Sequence, residues 1–359
     1  MKRKVTLSAL ALAGMLSAAP FTLKAQGGNT APTASKVVYD FQHFSDIKML
    51  QLFEKAVREG KRYPSYDELK AAGLADEIEF VRSHVRKRSI LPRKDRLIQS
   101  TFETRELFMN IPAGAGRTIG GYPSSDFASD NFSMWNYTNL FGAWNHGLFQ
   151  APGSWADAAH KNGTDIMSGI KFFDTTGNIG GVDAGGWLPV LKAKNDDGSF
   201  KYAKPMIYML QYLGLDGINY NWEAPSYDDH QVIAFHQKLY EIAKAEKFDN
   251  FHIAIYTHNS SLTASNVEAL FGKNKKKTAD VMLNYVGNDF TYGMRTSVDQ
   301  AKAAMGTADG VYAGVWIVTM NRAWSRVSAT PECGVCLWGE HAQSRFWSYN
   351  AGGDADEMM

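Results

Sequence analysis

The chain has 359 residues, 45% of them hydrophobic, enough for one large core or a large domain with a smaller attachment. Its 38 basic and 37 acidic residues nearly cancel, which gives no support to a nucleic-acid or anionic-membrane partner. Two cysteines, Cys333 and Cys336, lack the second ligand pair that a zinc site needs, so no metal and no cofactor is expected.

Lys2, Arg3 and Lys4 precede an apolar run from Val5 to about Pro20, with a cleavage point at Ala25 or, alternatively, near Ala18 or Ala19. Residues 1–25 therefore read as a signal peptide, since the run is too short to anchor in a bilayer. Export to a periplasm, cell surface or exterior is expected, with no membrane span after cleavage. Residues 26–36 are small and polar and read as a flexible leader. Residues 37–125 are charged and helix-prone and read as an N-terminal helical extension packed on the main domain. Within it, Ser65 with Glu68 three residues on predicts a capping box. The basic stretch from Val81 to Arg96 reads as a solvated face.

From residue 126 to 345 short apolar runs alternate with helical stretches. Strands are expected at Thr138–Trp144, Asp165–Phe173, Gly217–Trp222, His252–Thr257, Val281–Tyr285, Val311–Val318 and Gly334–Trp338. Helices are expected at Ser154–Lys161, Lys204–Leu213, Asp228–Lys247, Ser265–Phe271 and Ser297–Ala304. Strands apolar on both faces, separated by helices, predict a parallel sheet of the α/β class. The spacing fits a (β/α)8 TIM-like barrel whose remaining strand falls near Trp187–Leu191. A doubly wound open sheet is the alternative, but no Gly-rich phosphate loop opens any helix. Residues 346–359 form a C-terminal tail, expected as a truncation point before further domains. On the last strand Cys333 and Cys336 would face opposite sides, as two packed free thiols, with a disulfide in a bulge or turn as the alternative.

The stretch from Asp216 to Glu223, DGINYNWE, carries the chemistry. Strand alternation puts Ile218, Tyr220 and Trp222 on one face, toward the helices, and Asn219, Asn221 and Glu223 on the other. Three inward polar residues are costly without partners. They read equally as a buried network that locks the barrel, or as an active site at the strand's C-terminal end.

DGINYNWE looks like the DGxDxDxE signature of family 18 chitinases with two acidic positions changed to Asn. An Asn two residues before the Glu more closely resembles family 85 of the glycoside hydrolases. Further segments, in chain order, are similar to that family: Trp144 to Gly147 (a strand ending S-H-G), Trp155 to Gly163 (its W-x-x-A-A-H-x-x-G helix), Tyr256 (its Trp-Tyr pair), Leu283 to Tyr285 (L-N-Y), and Asp309 to Gly314 (D-V-Y-x-G). Gly287, Trp316 and the missing Trp before Tyr256 depart from the pattern, so a divergent branch with altered subsites is expected.

The resemblance implies an endo-β-N-acetylglucosaminidase that cuts the GlcNAc-β-1,4-GlcNAc core of N-linked glycans, with a glycan or glycoprotein as partner. Glu223 would be the general acid/base. Asn221 would hold the substrate's 2-acetamido group, whose oxygen attacks in place of a protein carboxylate, and Tyr256 would add a hydrogen bond. Substrate-binding positions are expected at Asn219, Trp144, His146, Asn284, Tyr285, Trp187 and Trp316. A chitinase-like enzyme and an inactive glycan-binding barrel are the alternatives.

Overall fold

The computed structural model describes residues 46–87, 105–111, 132, 134–144, 147–170, 178–179, 182–183, 187–224, 226–284, 290–316 and 329–338. The expected signal peptide, leader and tail lie outside these residues, as do His146, Tyr285 and Gly287.

Eight parallel strands close into a barrel. They are β1 (Leu107–Ile111), β2 (Leu140–Trp144), β3 (Asp165–Ile170), β4 (Gly217–Asn221), β5 (His252–Tyr256), β6 (Asp280–Leu283), β7 (Val311–Trp316) and β8 (Gly334–Trp338). Each strand pairs with its chain neighbours, and β1 pairs with β8 to close the ring. Seven of these strands lie where the apolar runs predict them: β8 has the expected bounds, β6 starts one residue earlier, and the other ends differ by at most three residues.

The eighth does not. Residues 187–192 form helix α5 (Trp187–Lys192), and the missing strand is β1, from within the stretch expected to be a helical extension. The physical reason is legible afterwards. Trp187, Val190 and Leu191 are buried at helical spacing, and Pro189 sits in the first turn, where its missing N–H costs nothing. The run Leu-Phe-Met-Asn-Ile of β1 is too short to stand out between charged flanks.

Two apolar layers hold the molecule together. Phe108, Leu140, Met167, Ala254, Tyr256, Met282, Tyr312 and Cys336 fill the barrel interior. The opposite strand faces pack under the helices, where Ile218, Tyr220 and Trp222 join Met206, Leu210, Phe235 and Leu239. The expected face assignment of β4 therefore holds. Cys333 belongs to the outer layer and Cys336 to the inner one, and both are free thiols.

Before the barrel come α1 (Asp46–Arg58), α2 (Tyr66–Ala71) and α3 (Ala75–Val81), and α4 (Gly153–Lys161) joins β2 to β3. The capping box forms as predicted, Ser65 Oγ accepting from Glu68 N while Glu68 accepts from Ser65 N. Helix α1 packs Met49, Leu50 and Phe53 into the outer layer, beside α6 (Ala203–Leu213); the Phe53 and Tyr212 rings meet edge-on at 5.5 Å. Gly214 ends α6 in a left-handed conformation, φ 75°, which sets the turn into Asp216 and β4. Asp46, at the start of α1, accepts from Leu148 N and Gln150 Nε2 at 2.6 and 2.7 Å, so the extension holds the loop after β2.

The N-terminal mouth of the barrel is closed by charge. Asp165, Asp216 and Asp280 stand at the starts of β3, β4 and β6. His252 bridges Asp280 (2.8 Å) and Asp165 (3.3 Å), and Lys87 and Lys277 reach Asp165 and Asp280. His160 bonds Asp216 at 2.9 Å, and Asn250 donates to both Asp165 and Asp216. Burial opposes charge on His252, but its two carboxylate bonds outweigh it and raise its pKa to about 10.

Candidate active site

The other mouth is built differently. Asn221 ends β4 and Tyr256 ends β5, and the two are register partners. Glu223 follows two residues after the strand, partly buried. Asn221 Nδ2 donates to Glu223 Oε1 at 2.8 Å. That bond fixes the amide's orientation and leaves Asn221 Oδ1, buried and without a partner, as an open acceptor.

Below lies an amide floor. Asn219 Nδ2 donates across the interior to Asn110 Oδ1 at 2.9 Å, both side chains fully buried. Asn219 Oδ1 has no partner either. Gly142 of β2 makes room for the pair, since a Cβ there would lie 2.2 Å from Asn110 Oδ1 and 2.6 Å from Asn219 Nδ2. A floor of amides presents acceptors and donors without adding charge next to Glu223.

The rim on the β5 side is polar. Tyr227, in the loop after β4, bonds the Trp222 carbonyl, Thr257 Oγ1 and His258 Nδ1. Burial raises the Tyr227 phenol above its ordinary value against the pull of Thr257, and the Glu223 carboxylate adds to the rise. The phenol therefore keeps its proton at neutral pH. Asn284, just after β6, is buried and its backbone N–H donates to Asn259 O. Among the described residues no group of His, Cys, Asp and Glu is arranged to hold a metal ion.

The model of Glycosyl hydrolase family 85 matches residues 117–315, more than half of the chain. The chain belongs to glycosyl hydrolase family 85. No curated protein matches it. Among solved structures, the glycoside hydrolase domain of Spr0440, Endo-D from Streptococcus pneumoniae R6, aligns with a TM-score of 0.55 at 15% identity. The alignment covers 78% of this chain and 45% of that one, so the chain spans less than half the length of that relative, and the likeness is one of fold. A fungal endo-beta-N-acetylglucosaminidase of family 18 aligns with a TM-score of 0.39 at 12% identity, covering 65% of this chain and 89% of that one.

Within this family 85 barrel, Asn221, Glu223, Tyr256 and Asn284 gather at the C-terminal mouth of β4 to β6, while Asn219, expected to bind substrate, lies below them, fully buried against Asn110. Trp144 and Trp316 end β2 and β7; their side chains lie outside what is described, as do His146 and Tyr285. Trp187 is a correction. Only 2% exposed, it packs edge-on against Phe149 at 5.6 Å in the outer layer, so it is core and offers no face to a ligand. Asn110, Gly142, Tyr227 and Thr257 are residues of the candidate site that sequence reasoning missed. Asn110 had one signal, a lone amide in an apolar run. Tyr227, in an irregular loop, had none.

Proposed function

We propose that this protein is an exported endo-β-N-acetylglucosaminidase, cleaving between the two core N-acetylglucosamines of N-linked glycans by substrate-assisted retention. The observation that carries the reading is the Asn221–Glu223 pair: one amide hydrogen held by the carboxyl, and the amide oxygen left open beside it. Family membership supports the hydrolytic class. The basic, then apolar, N-terminus supports export.

The chemistry follows from that pair. With Asn221 bonded to Oε1, Glu223 carries its proton on Oε2 and delivers it to the leaving glycosidic oxygen. Asn221 Oδ1 accepts the N–H of the substrate's acetamido group, which turns the acetamido oxygen toward C1. That oxygen attacks C1 as the C1–O bond breaks, giving a protonated oxazoline (an oxazolinium ion, its N–H still held by Asn221 Oδ1) in place of a glycosyl-enzyme. Glu223, now a carboxylate, takes a proton from the water that opens the oxazoline. An amide suits the Asn221 position because it accepts the N–H without placing a second negative charge beside Glu223. Tyr256, register partner of Asn221, supplies a hydroxyl near the same group.

Mass spectrometry of a glycoprotein incubated with the purified chain tests the reading. Release of glycans ending in one reducing N-acetylglucosamine, with the other left on the protein, is the expected result. No release from high-mannose, complex or trimmed glycans would overturn it.

A further inference from the structure

Trp222, between Asn221 and Glu223, has left the strand ladder, yet its backbone is held at both polar atoms. Its N–H donates to the Tyr256 carbonyl at 2.8 Å. Its carbonyl accepts from the Tyr227 hydroxyl at 3.0 Å. A carbonyl only accepts, so the single phenol proton is committed to it. Thr257 Oγ1, 2.5 Å from the phenol oxygen, and His258 Nδ1, at 3.2 Å, must then be the donors to it. Thr257 Oγ1 in turn accepts from the Asn259 backbone N–H and Nδ2 at 3.2 and 3.3 Å. The result is a directed chain from the end of β5, through Tyr227, to the peptide on which Glu223 hangs. The ring is itself fixed, edge-on to Trp222 at 5.3 Å and stacked on His258 at 5.8 Å.

We propose that Tyr227 is the positioning residue for Glu223, locking the peptide before the acid to the strand that carries Tyr256. The inference rests on Glu223 being the acid/base of the proposed reaction. Tyr227 has no need to touch the substrate. Its hydroxyl sets where the Glu223 carboxyl stands relative to Asn221 and the leaving oxygen, so its loss bears on proton delivery more than on binding.

The test uses the purified full chain and two substrates with the same glycan donor, one with the natural N-acetylglucosamine leaving group and one with 4-nitrophenol. For Tyr227→Phe, kcat/KM on the natural glycan is expected to fall about 10- to 100-fold, mainly through kcat, as misplacement of a reacting group does. The aryl substrate, whose leaving group needs little protonation, should lose less than about 3-fold. Thr257→Val should reproduce the pattern more weakly. The double variant should be no slower than Tyr227→Phe, because both act through one chain of bonds. Equal losses on both substrates, additive losses, or unchanged glycan turnover would overturn the proposal while leaving the enzyme reading intact. If the unsubstituted chain cleaves neither substrate, the enzyme reading fails and this inference falls with it.

Discussion

The two mouths of the barrel solve opposite problems with polar residues. At the N-terminal mouth Asp165, Asp216 and Asp280 are buried among His160, His252, Lys87, Lys277 and Asn250, and every carboxylate is partnered. At the C-terminal mouth Asn219 and Asn221 are buried with acceptor oxygens left open. A buried group without a partner costs stability, so a fold tolerates it only where something else is gained. The closed mouth stabilises the barrel; the other keeps two unpartnered amide oxygens where the proposed active site lies.

If that contrast is right, substitutions at the two ends separate activity from stability. The largest effect on turnover is expected from Glu223→Gln, a loss of about 10²- to 10⁴-fold with the melting temperature unchanged. Near-normal hydrolysis, followed by glycan release, would remove the site altogether. At the other mouth His252→Ala leaves Asp165 and Asp280 without the cation they share. It should cost about 3–5 kcal/mol in urea unfolding while the folded fraction keeps its specific activity. Normal stability would mean that the charge network is idle.

The pH dependence of stability probes the same end. The pKa of His252 is raised from an unfolded value of 6.5 to about 10, so its contribution is complete below pH 6.5 and is lost as pH rises toward 10. Despite their burial, Asp280 and Asp165 are held below their ordinary 3.8 by His252 and the neighbouring lysines. Their contribution is present above that value and lost as pH falls through the lowered ones. Urea unfolding from pH 5 to 10 should therefore show stability declining on the alkaline side; a flat profile would contradict it. A smaller effect is expected from Gly142→Ala, whose Cβ displaces the Asn110–Asn219 pair. Overpacking there should cost about 1–3 kcal/mol, with reduced turnover. The smallest is Ser65→Ala, which removes a cap far from either mouth. It should cost about 1 kcal/mol in urea unfolding, with no change in kcat/KM.

The shared face of Asn219, Asn221 and Glu223 was legible because strand alternation is a local rule; their candidacy as a site came from the resemblance to family 85. Residues 219, 221 and 223 share a face whatever the rest of the chain does. The same rule placed Trp222 outward and split Cys333 from Cys336. Trp187 and β1 were misread for one reason. A short apolar segment suits a strand, a helix or a core equally well, and only its neighbours choose. Phe149 makes Trp187 a core residue, and β2 and β8 make residues 107–111 a strand.

By itself, then, the sequence determined the alternation of strands and helices, the parity of β4, the cap at Ser65 and the segments similar to family 85. All of these depend on residues within a turn or two of one another. Only the tertiary structure decided that β1 closes the ring, that Asn110 meets Asn219 across it, that Tyr227 ties Trp222 to Thr257, and that two histidines and two lysines gather around three aspartates at the far mouth. Those contacts join residues up to 109 positions apart at the site, and 87 positions apart in the charge network. No local pattern encodes them, because the partners meet only once the barrel has closed.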